Sequence, residues 1–267
     1  MSTASPTTLP DSPLVWTVAD AAAVTKRNLY RYIRVPTLLL FSTIQPVMFV
    51  LLFTYVFGGS IRVPGVDRYV DYLIPGILAQ TVIFGSTQTG VGLAEDLSRG
   101  MIDRFRSLPM ARSAVLAGRT LSDTVRNLFV VLLMVLVGTL VGFRFHAGVL
   151  PALGAVALAL AFGLAFSWIS AFIGMSVRDV ESAQAAGFVW VFPLVFASSA
   201  FVSVANMPGW LQAFAKANPI TNVVDALRAL CLGGPTTTPV LRSLAWITAI
   251  LLVFVPLAVS RYRRAAG

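Results

Sequence analysis

The chain has 267 residues, of which 57% are hydrophobic and 12% charged, with a formal net charge of +9. No water-soluble domain of this length hides so much apolar surface, so the composition excludes a soluble globular protein and gives an all-α polytopic membrane protein. The lone cysteine, Cys231, excludes an intramolecular disulfide, and the lone histidine, His146, leaves no histidine-rich ligand set, so no metal site is expected.

Residues 1–13 are rich in Ser, Thr and Pro and are expected to be disordered, with no basic stretch leading into an apolar core and hence no cleaved signal peptide. Val15, Val18, Ala22, Leu29 and Ile33 then form a loose apolar stripe, with Lys26, Arg27, Arg31 and Arg34 toward its end. Trp16, Tyr30 and Tyr32 are interfacial residue types, so 14–34 reads as a helix lying in the membrane surface rather than a solvated tail. The unit 1–34 is thus a tail plus interfacial helix, followed by a single transmembrane domain over 35–260 and a short tail over 261–267.

Six spans are expected in that domain, at about 35–57, 70–93, 125–143, 149–175, 184–204 and 241–260. Gln45-Pro46 predicts a kink in the first. Gly138 and Gly142 predict a close helix contact in the third. No Asp or Glu stands in the middle of any predicted span, which argues against an ion-coupled carrier.

Between the second and third spans lies the charged segment 94–119. Leu97, Met101, Phe105 and Leu108 fall on one helical face. Glu95 with Arg99, Arg99 with Asp103, and Asp103 with Arg106 can pair along the other, and Pro109 ends the pattern. A short amphipathic helix over 94–108 is expected. Before the last span, two short helices within 205–238 (about 207–230) are separated at Asn218-Pro219 and stopped at Gly233-Gly234-Pro235. Each is too short to cross a bilayer, so the pair is either a re-entrant hairpin or surface-lying.

Lysine and arginine orient the chain. Fourteen of the 20 lie on the side of the termini and of 94–119, and six lie on the other. Both termini and 94–119 are therefore expected in the cytoplasm and the paired short helices outside. The basic charge is a topology signal and implies no nucleic-acid partner. No phosphate-binding G-x-x-x-x-G-K-[ST] loop, H-E-x-x-H, G-x-S-x-G or CxxC motif occurs, and neither lysine, Lys26 or Lys216, follows a glycine-rich turn. The chain resembles a transport body without its own ATP site, and no catalytic residue is expected.

The order of motifs carries a resemblance. Glu95, Asp96, Gly100, Arg104 and Pro109 follow the second span, then Gly118-Arg119, then Met207, Pro208, Trp210, Leu211 and Gln212. Asn218, Pro219, Thr221, Val224, Asp225, Ala226, Leu227 and Arg228 precede the last span. In this order the chain resembles the ABC-2 family of ABC-transporter permeases, and within it the daunorubicin-resistance type of drug exporter subunit. The family often has Thr or Ser after the first glycine, where Met101 stands here, so no hydroxyl role is assigned at that point.

The resemblance implies a type V exporter-like fold in the cell membrane of a bacterium. It implies two separate ATPase subunits that bind ATP and Mg, no cofactor in this chain, and a dimer with a second permease copy or homologue. Segment 94–108 would be the coupling helix, carrying Glu95, Asp96, Arg99, Gly100, Met101, Arg104, Phe105 and Pro109 into a groove of the ATPase. The short helices would gate the exit, with Trp210, Pro219, Asp225 and Arg228 as candidates.

Arg178, Asp179 and Glu181 are either a second ATPase contact or a plain solvated loop. Phe84, Gln88, Phe188, Phe192 and Phe196 are candidates for a hydrophobic substrate path, or are lipid-facing and packing side chains. The expected function is ATP-driven export of an amphipathic drug, lipid or secondary metabolite through a surrounding lipid membrane. The alternatives are a lipid-linked polysaccharide exporter, which would need a wider and more polar channel, an ATP-independent channel or carrier, and an integral-membrane enzyme.

Overall fold

The computed structural model describes residues 13–59, 68–101 and 112–265. The N-terminal tail, most of the loop after the first span, and Asp103, Arg104, Phe105, Arg106, Leu108 and Pro109 lie outside the described residues. The described chain is helical, with no strand: α1 (Pro13–Arg34), α2 (Pro36–Leu52) prolonged by a π-helical turn (Phe53–Phe57), α3 (Tyr69–Ser98), α4 (Arg112–Val141), α5 (Val149–Gly174), α6 (Val180–Phe196), α7 (Gly209–Ala217), α8 (Pro219–Leu232) and α9 (Thr237–Ala265). Their starts follow local chemistry. Pro36 and Pro219 occupy first-turn positions where a missing N–H costs nothing, and Asn218 caps α8 by accepting from the Ile220 N–H at 2.9 Å.

By length and composition, α4, α5 and α9 are able to cross a membrane, and Ser42–Phe57 and Val180–Phe196 are shorter apolar helices. The helices alternate between two ends of the bundle. At one end the Tyr69 hydroxyl donates to the Phe201 carbonyl at 3.0 Å, and the His146 N–H donates to the Cys231 carbonyl at 2.9 Å. At the other, Leu93, Val115, Trp168, Met175, Ala258 and Tyr262 form a second apolar cluster. Helix α3 is the hub. It is buried continuously from Tyr69 to Ile83, as expected of a helix apolar on all sides. It meets α5 through small residues: a Cβ on Gly174 would strike the Gly90 backbone, and one on Gly90 the Ser170 carbonyl.

Four boundaries differ from the sequence expectation. Helix α3 does not stop at 93; it runs through Ser98, so Glu95 and Asp96 form its last turn. The helix expected over 94–108 is broken at Gly100, whose φ of +65° is the left-handed conformation that ends helices. Leu97 and Met101 therefore do not share one continuous stripe. Helix α4 is already formed at Arg112, thirteen residues before the predicted span, and Ala114–Leu116 are buried, so part of the charged segment is buried bundle. The span expected over 184–204 stops at Phe196. The irregular backbone after it is buried at Ala200 and Phe201, and its carbonyls are satisfied by other elements: Asn218 Nδ2 donates to Leu194 and Ala197 at 2.7 and 3.1 Å.

The predicted Gly138–Gly142 pair also divides. Gly138 packs against Ile74 of α3, whereas Gly142 has φ +113° and ends the helix.

Candidate functional site

The most buried carboxylate sits where α1, α3 and α4 meet. Arg119, Asp123 and Arg126 stand one turn apart on one face of α4 and are 8%, 0% and 5% exposed. Burial of a lone carboxylate is prohibitive, so Asp123 is surrounded by partners. The Tyr32 hydroxyl of α1 donates to its Oδ1 at 2.6 Å, and the Thr89 hydroxyl of α3 donates to its Oδ2 at 2.7 Å. Arg119 Nε donates to Oδ2 at 3.4 Å, and Arg126 Nη1 lies 3.7 Å from Oδ1. Arg126 Nη2 also donates to the Gly85 carbonyl of α3 and to Asn127 Oδ1. The glycine at 92 makes room for the Arg119 guanidinium, which occupies the place a Cβ would take. One carboxylate thus joins three helices.

The candidate coupling residues are at the same end. Glu95 pairs with Arg99 at 2.7 Å, on half-buried and exposed side chains respectively. Asp96 is half-buried within electrostatic reach of Arg119, while Gly100 is exposed and Met101 half-buried. Arg104, Phe105 and Pro109 lie outside the described residues.

The candidate path residues come together in part. Phe84 of α3 meets Phe188 of α6 with ring centroids 5.6 Å apart. Phe192 stacks on Phe196 at 4.3 Å, Phe196 on Phe201 at 5.3 Å, and Phe201 on Phe53 at 4.8 Å. Phe188, Phe192 and Phe196 are 44%, 50% and 39% exposed, and Gln88, one turn from Phe84, is exposed too. The aromatics therefore form one exposed flank along α3 and α6 that runs to the end where α7 and α8 lie.

The candidate gate residues separate. Arg228 lies with its guanidinium 3.5 Å from the Tyr72 ring centroid and donates to the carbonyls of Tyr72, Ser199 and Ala200. It also pairs with Asp225 at 3.3 Å, and Ser199 Oγ donates to the same carboxylate at 2.8 Å. Trp210 is 76% exposed and far less engaged, and Pro219 is simply the first residue of α8.

Of the loop residues, Asp179 caps α6. Its carboxylate accepts from the Ser182 N–H at 2.6 Å and hydroxyl at 2.9 Å, which holds its pKa below the usual carboxylate range. Arg178 and Glu181 are exposed beside it.

Sequence reasoning missed the Asp123 cluster, having used Arg119 and Arg126 as topology cations and Arg119 as part of the Gly118-Arg119 motif. The signal was present, since Arg119, Asp123 and Arg126 at i, i+4 and i+7 are one helical face. Among the described residues no group of three or more His, Cys, Asp or Glu comes together to hold a metal.

Comparison with known proteins agrees with this architecture. A family model described as ABC-2 type transporter matches residues 20–232. The chain is 34% identical over 249 residues to the "Daunorubicin resistance ABC transporter permease protein DrrB1" of Streptomyces coeruleorubidus, covering 92% of this chain and 88% of that one. It is 29% identical over 250 residues to the "Probable doxorubicin resistance ABC transporter permease protein DrrC" of Mycobacterium tuberculosis, covering 93% and 90%. A helical bundle with no phosphate loop, matched along nearly its whole length by permeases, belongs to the ABC-2 type transporter family and is the membrane permease subunit of an ABC exporter whose ATPase is a separate chain.

Proposed function

We propose that this permease moves an amphipathic drug or drug-like secondary metabolite out of the cell, driven by two ATPase subunits that bind ATP and Mg. The names of its relatives, which refer to daunorubicin and doxorubicin resistance, support that substrate class. The single observation carrying the mechanism is that α3 bears both ends of the process. Its last turn holds Glu95 and Asp96, and the same helix holds Phe84 and Gln88 beside the exposed aromatic flank. In this reading Glu95, Asp96 and Arg99, with Met101, Arg104 and Phe105 after the Gly100 break, dock on the ATPase. Charges fix register and apolar side chains fill the groove.

Phe84, Phe188, Phe192 and Phe196 line the path, against a second copy of the chain or a homologue across the aromatic flank. The fold crosses the membrane six times with both termini in the cytoplasm, and α7 and α8 form the outer re-entrant pair. The apolar character of the flank favours this reading over lipid-linked polysaccharide export, which needs a polar channel.

The test is co-purification of the partner ATPase with Asp96→Arg and Phe105→Asp. Both variants are expected to insert normally and to lose ATPase association; unchanged association in both would remove the docking assignment. ATP hydrolysis by the reconstituted complex is expected to rise with cationic amphiphiles and not with polysaccharide carriers.

A further inference from the structure

Beside the Asp123 cluster, α1, α2, α3 and α4 enclose a cavity of about 370 Å³. Four polar side chains in its wall are almost fully buried yet each has one atom without a hydrogen-bond partner: Asn28 Nδ2, Gln80 Oε1, Thr81 Oγ1 and Arg126 Nε. These residues are 6%, 3%, 6% and 5% exposed. Buried polar groups are nearly always paired, and four residues with an unpartnered atom in the wall of one space mark it as a place where a polar ligand would find partners.

The free groups are biased toward donation. Asn28 and Arg126 offer N–H groups and Thr81 a hydroxyl. The one free acceptor, Gln80 Oε1, changes places with its own NH₂ by a half-turn of the amide. The charge has the same bias at the inner end. Asp123 is shared between Arg119 and Arg126, Asp96 faces Arg119 from the end of α3, and Glu95 at the rim is paired with Arg99 at 2.7 Å. Arg126 shares its ion-paired carboxylate, Asp123, with Arg119, Glu95 in the cavity wall is paired with Arg99, and Arg126 Nε is a cationic donor suited to an acceptor-rich group.

The surroundings fit a ligand that is polar at one end and apolar at the other. Ser42 and Gln45 of α2 line the cavity, while Leu40, Ile44 and Met48 of the same helix, a turn apart, are 56%, 41% and 59% exposed. Above the cavity, α1 carries Lys26, Arg27 and Arg34, the composition of a helix that lies on a phospholipid surface.

The geometry points to a binding site for the phosphate headgroup of a membrane lipid. The phosphate oxygens accept from Arg126 Nε, Asn28 Nδ2 and Thr81 Oγ1, and the acyl chains lie along the Leu40–Ile44–Met48 flank. Such a lipid ties α1 to α3 and α4 at the same place as Asp123. Phe84 and Gln88 of α3 line the cavity as well, so it adjoins the proposed drug path, and a cationic substrate would bring donors to a wall already supplied with unpartnered donors.

The experiment uses the full chain in detergent, with thermal midpoint and native mass spectrometry as readouts. The probes are dioleoylphosphatidylglycerol, dioleoylglycerol and inorganic phosphate. Phosphatidylglycerol is expected to be retained and to raise the midpoint; the other two are expected to do neither. Thr81→Val and Asn28→Leu are each expected to weaken phosphatidylglycerol binding about tenfold, the loss of one charge-assisted hydrogen bond. Lipid-free Thr81→Val should keep or gain stability, because only an unpartnered hydroxyl is removed. Equal protection by dioleoylglycerol, equal protection by inorganic phosphate alone, or unaltered lipid binding in both variants overturns the proposal. So does competition by a cationic amphiphile whose own binding falls in the same two variants, which would assign the cavity to the exported substrate.

Discussion

Tyr32 donates its phenolic hydrogen to Asp123 at 2.6 Å across 91 residues of chain, which fastens the N-terminal helix to the interior of the bundle. Asp123→Asn leaves Arg119 and Arg126 buried without their shared counter-ion, a change that costs about 3–5 kcal/mol in comparable buried pairs. A large fall in thermal midpoint and in yield of folded protein is expected. Tyr32→Phe removes one donor to a charged acceptor and is expected to cost about 1.5–3 kcal/mol. In the Asp123→Asn background the Tyr32→Phe effect should shrink, which a double-mutant cycle measures directly.

A second prediction concerns α3 against α5. Gly174→Ala places a methyl group against the Gly90 backbone, which has no side chain to move aside. Destabilisation of about 1–3 kcal/mol is expected, as for other overpacked cores. Gly59, where an added Cβ would meet no atom of the described residues within 4 Å, serves as the control, and Gly59→Ala should leave the midpoint unchanged.

Arg228 is the third. Its stacking on Tyr72 at 3.5 Å and its bonds to three backbone carbonyls depend on the planar guanidinium. Arg228→Lys keeps the charge and loses the fork, so α8 is expected to loosen from α3. Hydrogen exchange should rise in Pro219–Leu232 and in the segment after Phe196, with little change in α5.

The fourth separates stability from transport. Phe192 is 50% exposed, so Phe192→Ala is expected to shift the midpoint slightly while substrate-stimulated ATP hydrolysis falls. Equal losses in Phe192→Ala and in Leu140→Ala, a 79% exposed residue away from the aromatic flank, would remove Phe192 from the path.

The helical class, a helix at α1 and the paired short helices were all legible in residue order, because apolar runs, prolines and glycines act locally. Asn218-Pro219 and Gly233-Gly234 mark turns whatever the rest of the chain does. What stayed illegible depends on partners distant in sequence. Arg119 and Arg126 look like surface cations until Asp123, Thr89 and Tyr32 are seen around them. The end of α6 at Phe196 is hidden for the same reason: the apolar run continues, and the donors to the broken backbone, Asn218, Arg228, Tyr69 and Tyr72, stand far away in sequence. The helix expected over 94–108 is interrupted at Gly100, whose backbone conformation the periodicity does not reveal.

Helix α3 runs unbroken for 30 residues, about 45 Å of rise. Such an object behaves as a connecting rod. It has no loop along its length in which an axial push could be absorbed, and only Pro75 interrupts its hydrogen-bond ladder. If the ATPase docks at Glu95 as proposed, a displacement there runs along α3 as far as Pro75, the one joint of the rod, which lies one turn from Tyr72 and the Arg228 that rests on it.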